Sequence, residues 1–353
     1  MKKVIGFLSR FAFSILVVIY LFVAPSIILN KLLKEQDGLF INKNHTYHGV
    51  LDMWHIESFE GGSVSRSSWL QKRAQEFEKQ NKGTYISITS MNLETAKINI
   101  QNGKKPSLIS FSLGLGDELK DNLLEFTGKK VGLEQLVVSG KHNKKQLAMP
   151  YMLGGYCSFN LNSEIVLSGL NCENLTSLAL AITKQTYHKN LSIFEQAYKL
   201  DGYMAYSNFT KGKADGFFGT QRDFYRINNR INNGSMQEGE FEYCSFTDLI
   251  QYISIYKGVN EETFNIAEKF IEYLLSEKVQ DTLKDIDMFS VLDAPSKSSN
   301  IKFNNFENHV KTNLKTVNVF LSNEQINEIK NVSLDYLTKN TNDFISLNKY
   351  FIS

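Results

Sequence analysis

The run Trp54-His55-Ile56-Glu57-Ser58 brings an aromatic ring, an imidazole, a carboxylate and a hydroxyl together in one short stretch. In an extended chain, side chains alternate, so His55 and Glu57 share one face and Trp54 and Ile56 the other. Only one set can face a cleft. Two readings of Trp54 stand: a platform whose apolar face stacks on a pyranose, or a ring packed under the helix that follows. Glu57 and Ser58, where the run ends, suit hydrogen bonds to ligand hydroxyls. A second group, Gly219-Thr220-Gln221-Arg222-Asp223, carries a guanidinium. Such a group forks two hydrogen bonds to a carboxylate or phosphate, or holds a nearby acid such as Asp215 or Asp223. His45, His48 and His55 invite a metal reading, yet no carboxylate completes a ligand set at motif spacing, so neither metal nor cofactor is expected. No G-x-S-x-G, H-E-x-x-H or other catalytic spacing occurs, and the expectation is a binding protein rather than an enzyme.

These residues need elements to position them. Residues 50–56 read as a strand, and the loop Glu60-Gly61-Gly62-Ser63 leads to a helix. Ser68-Trp69-Leu70-Gln71 fits a capping box, Leu70, Ala74 and Phe77 recur on one helical face, and Gly83 marks the stop, so this helix should run to about Asn81. Strands over 85–88 and 108–111 complete a βαβαβ run with right-handed crossovers. Residues 151–162 are aromatic, extended and contain Gly154-Gly155, as befits a crossing between two lobes. A strand over 216–218 precedes a turn at 219–223. A helix follows Glu261 and Glu262, with Phe264, Ala267, Ile271 and Leu274 on one face. Ser322 to Gln325 forms another capping box, ahead of Ile326, Ile329, Val332 and Tyr336 at core spacing. Alternating strands and helices build a mainly parallel sheet covered on both faces. Its ligands bind outside the carboxyl ends of the strands, here 54–58, 110–113 (with Ser112) and 219–222.

At roughly 150 residues per domain, the 353 residues make about two globular units. Charged residues are 22% and hydrophobic ones 42% of the chain, which excludes wholesale disorder and a polytopic membrane protein. The 39 basic and 37 acidic residues leave a net charge of +2 with no basic stripe, so nucleic acid is not an expected partner. Cys157, Cys172 and Cys244 show no C-x-x-C spacing and read as buried single thiols; in an exported chain, Cys157 and Cys172 could instead close one loop.

Lys2, Lys3 and Arg10 precede an apolar stretch, Phe11 to Leu29, long enough at about 1.5 Å per residue to cross a hydrocarbon core of about 30 Å. It exceeds the roughly 7–15 residues of a cleavable signal, although Ala24 and Ser26 would suit a cleavage site. An uncleaved N-terminal transmembrane helix is expected over residues 1–30 and a tether over 31–48. The cationic flank stays in the cytoplasm, so the remainder faces outward.

Four stretches, read in order, resemble the family 1 extracellular solute-binding proteins of ABC importers, the group that includes maltose-binding proteins. Val50 to Glu57 with Trp69 to Gly83 is similar to that family's first strand and its helix ending in "FEK…G". Lys105 to Ser112 resembles its "G-P-D-I-I" strand, with Ser107 where an aspartate is usual. Gln146 to Tyr151, running on to Phe159-Asn160, resembles the approach to the hinge and the "Y-N-K" strand beyond it. Phe209 to Ala214 with the 216–219 strand, then Tyr252 to Gly258 and a helix over 261–278, resemble the "F-x-x-G-K-A-A-M…G" and "A-W-x-F-x-x-F-L" blocks.

The resemblance implies an α/β, two-lobed periplasmic-binding-protein-like fold of type II, with an interlobe cleft. One lobe would take 49–153 and 250–299, the other 154–249 and 300–353. It implies capture of a small polar solute, a carbohydrate above all, by hinge closure, then delivery to ABC permease subunits by a monomer on the outer face of a bacterial membrane. The alternatives are a tethered ligand sensor with a signalling partner, and a cell-surface enzyme. Many sugar-binding relatives place a stacking tryptophan after the 216–219 strand, where Thr220, Gln221 and Arg222 stand here. Tyr151, Tyr156 and Tyr252 fall at the expected crossings, to touch ligand or to pack the hinge. Gly154 and Gly155 would allow the backbone rotation of closure.

Overall fold

The computed structural model describes residues 47–59, 61–161, 165–187, 192–193, 197–294, 296–339 and 343–352. Of the two compact units into which the chain divides, 1–47 and 48–353, the second carries the fold set out here. The expected membrane helix and nearly all of the tether lie outside the described residues. Among the described residues, no helix is long and apolar enough to cross a membrane.

Strand β1 (Gly49–Glu57) is buried from Met53 to Ile56 without alternation, because layers cover both of its faces. Helix α1 (Arg66–Gln80) starts one turn earlier than the Ser68 box predicts. Ser65 is the N-cap, its Oγ accepting the Ser68 N–H at 3.4 Å, and Ser68 lies inside the first turn. The earlier start buries Arg66 together with the stripe Trp69, Leu70, Ala74 and Phe77. Strand β2 (Thr84–Asn92) follows Gly83, whose φ of +92° suits a residue without a Cβ. Then come α2 (Leu93–Gln101), capped by Asn92, and the wholly buried β3 (Leu108–Phe111).

Strand β4 (Met149–Leu153) ends the first passage through one sheet, and β5 (Tyr156–Phe159) begins the other. Beyond it run β6 (Ile165–Ser168), α3 (Thr176–Thr186), β7 (Ser192–Ile193), α4 (Gly202–Thr210), β8 (Gly216–Thr220), α5 (Gln221–Asn232) and β9 (Phe241–Tyr243). The chain then returns through β10 (Ile250–Ile255), α6 (Glu261–Leu274), α7 (Ile301–Thr312) and α8 (Asn323–Lys339).

The strands form two five-stranded α/β sheets, ordered β2-β1-β3-β10-β4 and β9-β5-β8-β6-β7. In the first, β1 pairs parallel with β2 and β3, while β10 runs antiparallel between β3 and β4. In the second, β8 is parallel to β6 and antiparallel to β5. Each sheet has its own apolar core: Phe77 and Phe270 lie 5.1 Å apart on the first, and Phe159, Leu167, Phe209, Phe217 and Ile227 cluster on the second. Residues 154–155 carry the chain across once, and 244–249 carry it back.

Three expectations need correction. Residues 221–223 are the first turn of α5, because the side chains of Thr220 and Asp223 cap that helix reciprocally. Tyr252 lies inside β10, paired with Phe111 and Pro150, rather than at a crossing. The helix expected to reach Lys278 stops at Leu274, and a separate turn of helix, Glu277–Gln280, begins after Ser276. The second capping box is present: the Ser322 N–H donates to Gln325 Oε1 at 2.9 Å and the Gln325 N–H to Ser322 Oγ at 3.3 Å. All three cysteines are free thiols, so no Cys157–Cys172 bridge closes a loop.

Candidate functional site between the two sheets

A cavity of about 420 Å³ opens where several strands end. Its wall includes Phe59 beyond β1, Gly169 beyond β6 and Thr220 at the end of β8, the place where open α/β sheets bind ligands. It also includes the starts of three helices: Thr176 of α3, Gly202 and Tyr203 of α4, and Arg222, Asp223 and Arg226 of α5. Helix starts present free N–H groups and a partial positive charge. A neighbouring cavity of about 180 Å³ is lined by Glu57, Phe59, Gly61, Ser65, Arg66 and Arg222. Phe59, just beyond β1 of the first sheet, and Arg222, in the helix that follows β8 of the second, line both cavities. The groove is therefore walled by both lobes.

The walls are held by specific contacts. Asp223 Oδ2 accepts the Thr220 N–H at 3.0 Å and its hydroxyl at 3.4 Å, which orients the first turn of α5 and hence Arg222. Burial raises the Asp223 carboxyl above the usual carboxylate range, against the Thr220 N–H and the neighbouring Arg226 and Arg222, which lower it. Gly219 is required by close approach: a Cβ there would lie 2.3 Å from Asp223 Oδ2. Arg226 sits 3.6 Å from Asp223 Oδ1 and 5.0 Å from the Tyr206 ring centroid. Asp201 caps α4 by accepting the Met204 N–H at 2.7 Å, and beside it Tyr203 is 73% exposed.

On the opposite wall Arg66 is 3% exposed, its guanidinium carbon 3.9 Å from the Phe59 ring centroid and its Nη1 donating to Gln251 Oε1. Gln251 Nε2 donates in turn to Ser110 Oγ at 2.7 Å and to the Ile56 carbonyl at 3.2 Å. Ser110 Oγ also meets Tyr151 Oη at 2.8 Å and His55 Nδ1 at 3.0 Å. A buried polar chain thus runs from the groove to β4, the strand that precedes the first crossing. Inside such a network every satisfied bond is strengthened by the low local dielectric.

Of the residues singled out in the sequence, Glu57, Thr220 and Arg222 line these cavities, with Ser58 half-buried between Glu57 and Phe59. Trp54, Ser112, Tyr151, Gln221 and Tyr252 do not. Trp54 is buried within β1, 6% exposed. Ser112 Oγ donates to Gln251 Oε1 at 2.9 Å. The Tyr151 hydroxyl is spent on Ser110, and Tyr252 Oη lies 2.6 Å from Ser139 Oγ; burial pushes both phenols up. Gln221 Oε1 accepts the Gly155 N–H at 3.2 Å, which places this side chain at the crossing.

Phe59, Gly169, Asp201, Tyr203, Arg66 and Arg226 were not singled out. Arg226 follows Arg222 by one helical turn, a spacing that becomes visible once α5 is known to start at Gln221. Asp201-Gly202-Tyr203 carries an N-cap signal that marks α4. Among the described residues no group of three or more His, Cys, Asp or Glu side chains could hold a metal ion. His45 lies outside the described residues.

No family model matches the sequence, and no curated protein sequence matches it either. Solved structures do. The GacH receptor of Streptomyces glaucescens GLA.O, solved unliganded and in complex with acarbose and an acarbose homolog, is similar with a TM-score of 0.59 at 13% identity, over 84% of this chain and 95% of that one. A family 1 extracellular solute-binding protein from Bifidobacterium longum subsp. infantis is similar with a TM-score of 0.60 at 11% identity, over 86% and 97% of the two chains. At these identities the likeness establishes the fold, an α/β, two-lobed solute-binding architecture.

Proposed function

We propose, from the premise that this chain has the fold of extracellular solute-binding proteins, that it is the solute-binding subunit of an ABC importer. The solute is small and polar, a carbohydrate, and is held between the lobes without chemical change. One observation carries this reading: Glu57, at the end of β1 in one sheet, and Arg222, in the helix that follows β8 of the other, line the same cavity. A solute bridging them makes both contacts only while the lobes are together, so binding favours the closed form by that difference in affinity. The exposed ring of Tyr203 and the neighbouring Asp201 suit the apolar face and the hydroxyls of a sugar. Both structural neighbours are solute receptors, one of them an acarbose receptor, which supports a carbohydrate.

The same reading assigns the chain to the outer face of the cell membrane as a monomer, held by its N-terminal apolar stretch and read by permease subunits in the closed form. Gly154 and Gly155 lie in the two-residue crossing and are assigned as a hinge. Their φ values are not in the positive range, so closure would turn them from an ordinary conformation.

Thermal unfolding of the chain against a panel of mono- and oligosaccharides tests the proposal. A bound sugar at 100 times its Kd stabilises the folded state by about 2.7 kcal/mol. Glu57→Ala and Arg222→Ala should remove the shift, leave the ligand-free melting temperature in place, and return the sugar chemically unaltered. A shift that survives both substitutions rejects this site, and a sugar recovered cleaved rejects the binding role.

A further inference from the structure

We infer that Lys330 is a positioning residue for the groove: its ammonium, on the C-terminal helix α8, holds the loop between β6 and α3 in the form that takes the solute. This rests on the groove being the solute site. Cys172 and Asn174, on that loop, and Thr176, where α3 begins, line the larger cavity. Both ends of the loop are tied to other segments. The N–H groups of Leu170 and Asn171 donate to the carbonyls of Ala197 and Leu200 at 3.2 and 2.9 Å, and the Leu175 N–H donates to Asp248 Oδ2 at 2.8 Å. Between them, Lys330 Nζ donates to the Cys172 carbonyl at 2.8 Å and to the Glu173 carbonyl at 2.9 Å. Loops relax unless their backbone groups are held, and here one cation holds two successive carbonyls.

The place of Lys330 follows from its helix. Ile326, Ile329, Ser333 and Leu337 are the buried stripe of α8, and Lys330 follows Ile326 by one helical turn, at the edge of that face. The same helix packs against α3, where Lys184 Nζ lies 5.3 Å from the Tyr336 ring centroid. An ammonium carries three donors, so two neighbouring carbonyls engage it at once through charge-assisted bonds. Within the loop, Thr176 Oγ1 donates to Asn174 Oδ1 at 2.7 Å and Cys172 Sγ to Thr176 Oγ1 at 3.2 Å. The side chains that line the cavity are thus bonded to one another on the backbone that Lys330 holds.

The test uses the full chain, iodoacetamide and four sugars: glucose, galactose, maltose and maltotriose. Cys172 is half-buried whereas Cys157 and Cys244 are buried, so alkylation of Cys172, read by peptide mass spectrometry, reports the loop without any ligand. Lys330→Met should speed that alkylation by about fivefold or more, because the loop opens locally more often. Lys330→Arg, which also offers several N–H donors, should return it to the parent rate. Cys157 and Cys244 should stay unlabelled in every chain, which separates a loosened loop from an unfolded one. In the parent, a bound sugar should slow alkylation of Cys172. Its Kd should rise about fivefold or more in Lys330→Met, since apparent affinity falls with the fraction of chains in the competent form, and recover in Lys330→Arg. Equal alkylation rates in the parent and Lys330→Met would overturn the inference, as would a faster rate with an unchanged Kd. If no sugar binds or protects Cys172 while Lys330→Met is still alkylated faster, the hold on the loop stands and the sugar reading of the groove falls.

Discussion

The hydroxyl of Tyr156 donates to Asp248 Oδ1 at 2.8 Å, which ties the first residue of β5 to the segment that carries the chain back. Asp248 Oδ2 accepts the Leu175 N–H at 2.8 Å, one residue before Thr176 enters the cavity wall. One buried carboxylate thus links both crossings to the groove. The Leu175 N–H and the Tyr156 hydroxyl both need an acceptor, and removing the carboxylate leaves both buried donors without one. Asp248→Ala should therefore cost about 1–3 kcal/mol, read as a lower urea midpoint, and should weaken solute binding. An unchanged midpoint would show that the two crossings are held by other contacts.

His55 predicts a pH dependence. Burial, with the Arg66 charge adding to it, lowers its pKa from 6.5 to about 3, and its Nε2 has no hydrogen-bond partner among the described residues. The unfolded chain takes up this proton near pH 6.5, while the native one refuses it until about pH 3. Stability from this group is complete above pH 6.5 and is lost as pH falls from there, by about 2 kcal/mol at pH 5. His55→Gln should flatten the difference between urea midpoints at pH 7.5 and pH 5.0, whatever it costs at either.

Gly155 stands where packing leaves no room. A Cβ there would lie 3.0 Å from Phe289, Phe306 and Val310. Gly155→Ala should destabilise by about 1–3 kcal/mol through overpacking. Differential scanning calorimetry would show it as a lower melting temperature, and a melting temperature equal to that of the parent would mean that the neighbouring rings yield freely.

Asp223 tests whether the helix cap serves the site. Asp223→Ala removes the reciprocal cap of α5 and should cost about 0.5–2 kcal/mol. Because Arg222 and Arg226 lie on the first turns, solute affinity should fall as well. A chain that loses stability but binds as before would separate the cap from the groove.

Much of the scaffold was legible in the sequence because local rules govern it. The run 108–111 is apolar except for Ser110, and the strand there has those bounds. Ser322 and Gln325 cap a helix as their spacing requires, since that contact is closed within four residues. Local rules misled where several signals compete. Ser65 and Ser68 both offer a cap, and burial of Arg66 against Phe59 selects the first. Thr220 and Asp223 form a capping box with aspartate in place of the usual glutamate or glutamine, so a helix start read as a turn.

The groove itself divides in the same way. By itself the sequence determined which residue types end the strands, Glu57 on β1 and Thr220 with Arg222 after β8, because strand ends and alternation are properties of a few adjacent residues. Tertiary structure alone decided which of them meet. Trp54 could not be turned inward or outward by alternation, since β1 is covered on both faces, and Tyr203, Arg66 and Arg226 reach the groove through helix starts whose positions depend on how distant segments pack. Contacts such as Gln251 with Arg66, 185 residues apart, follow from the assembly of the sheets, which no window of sequence contains.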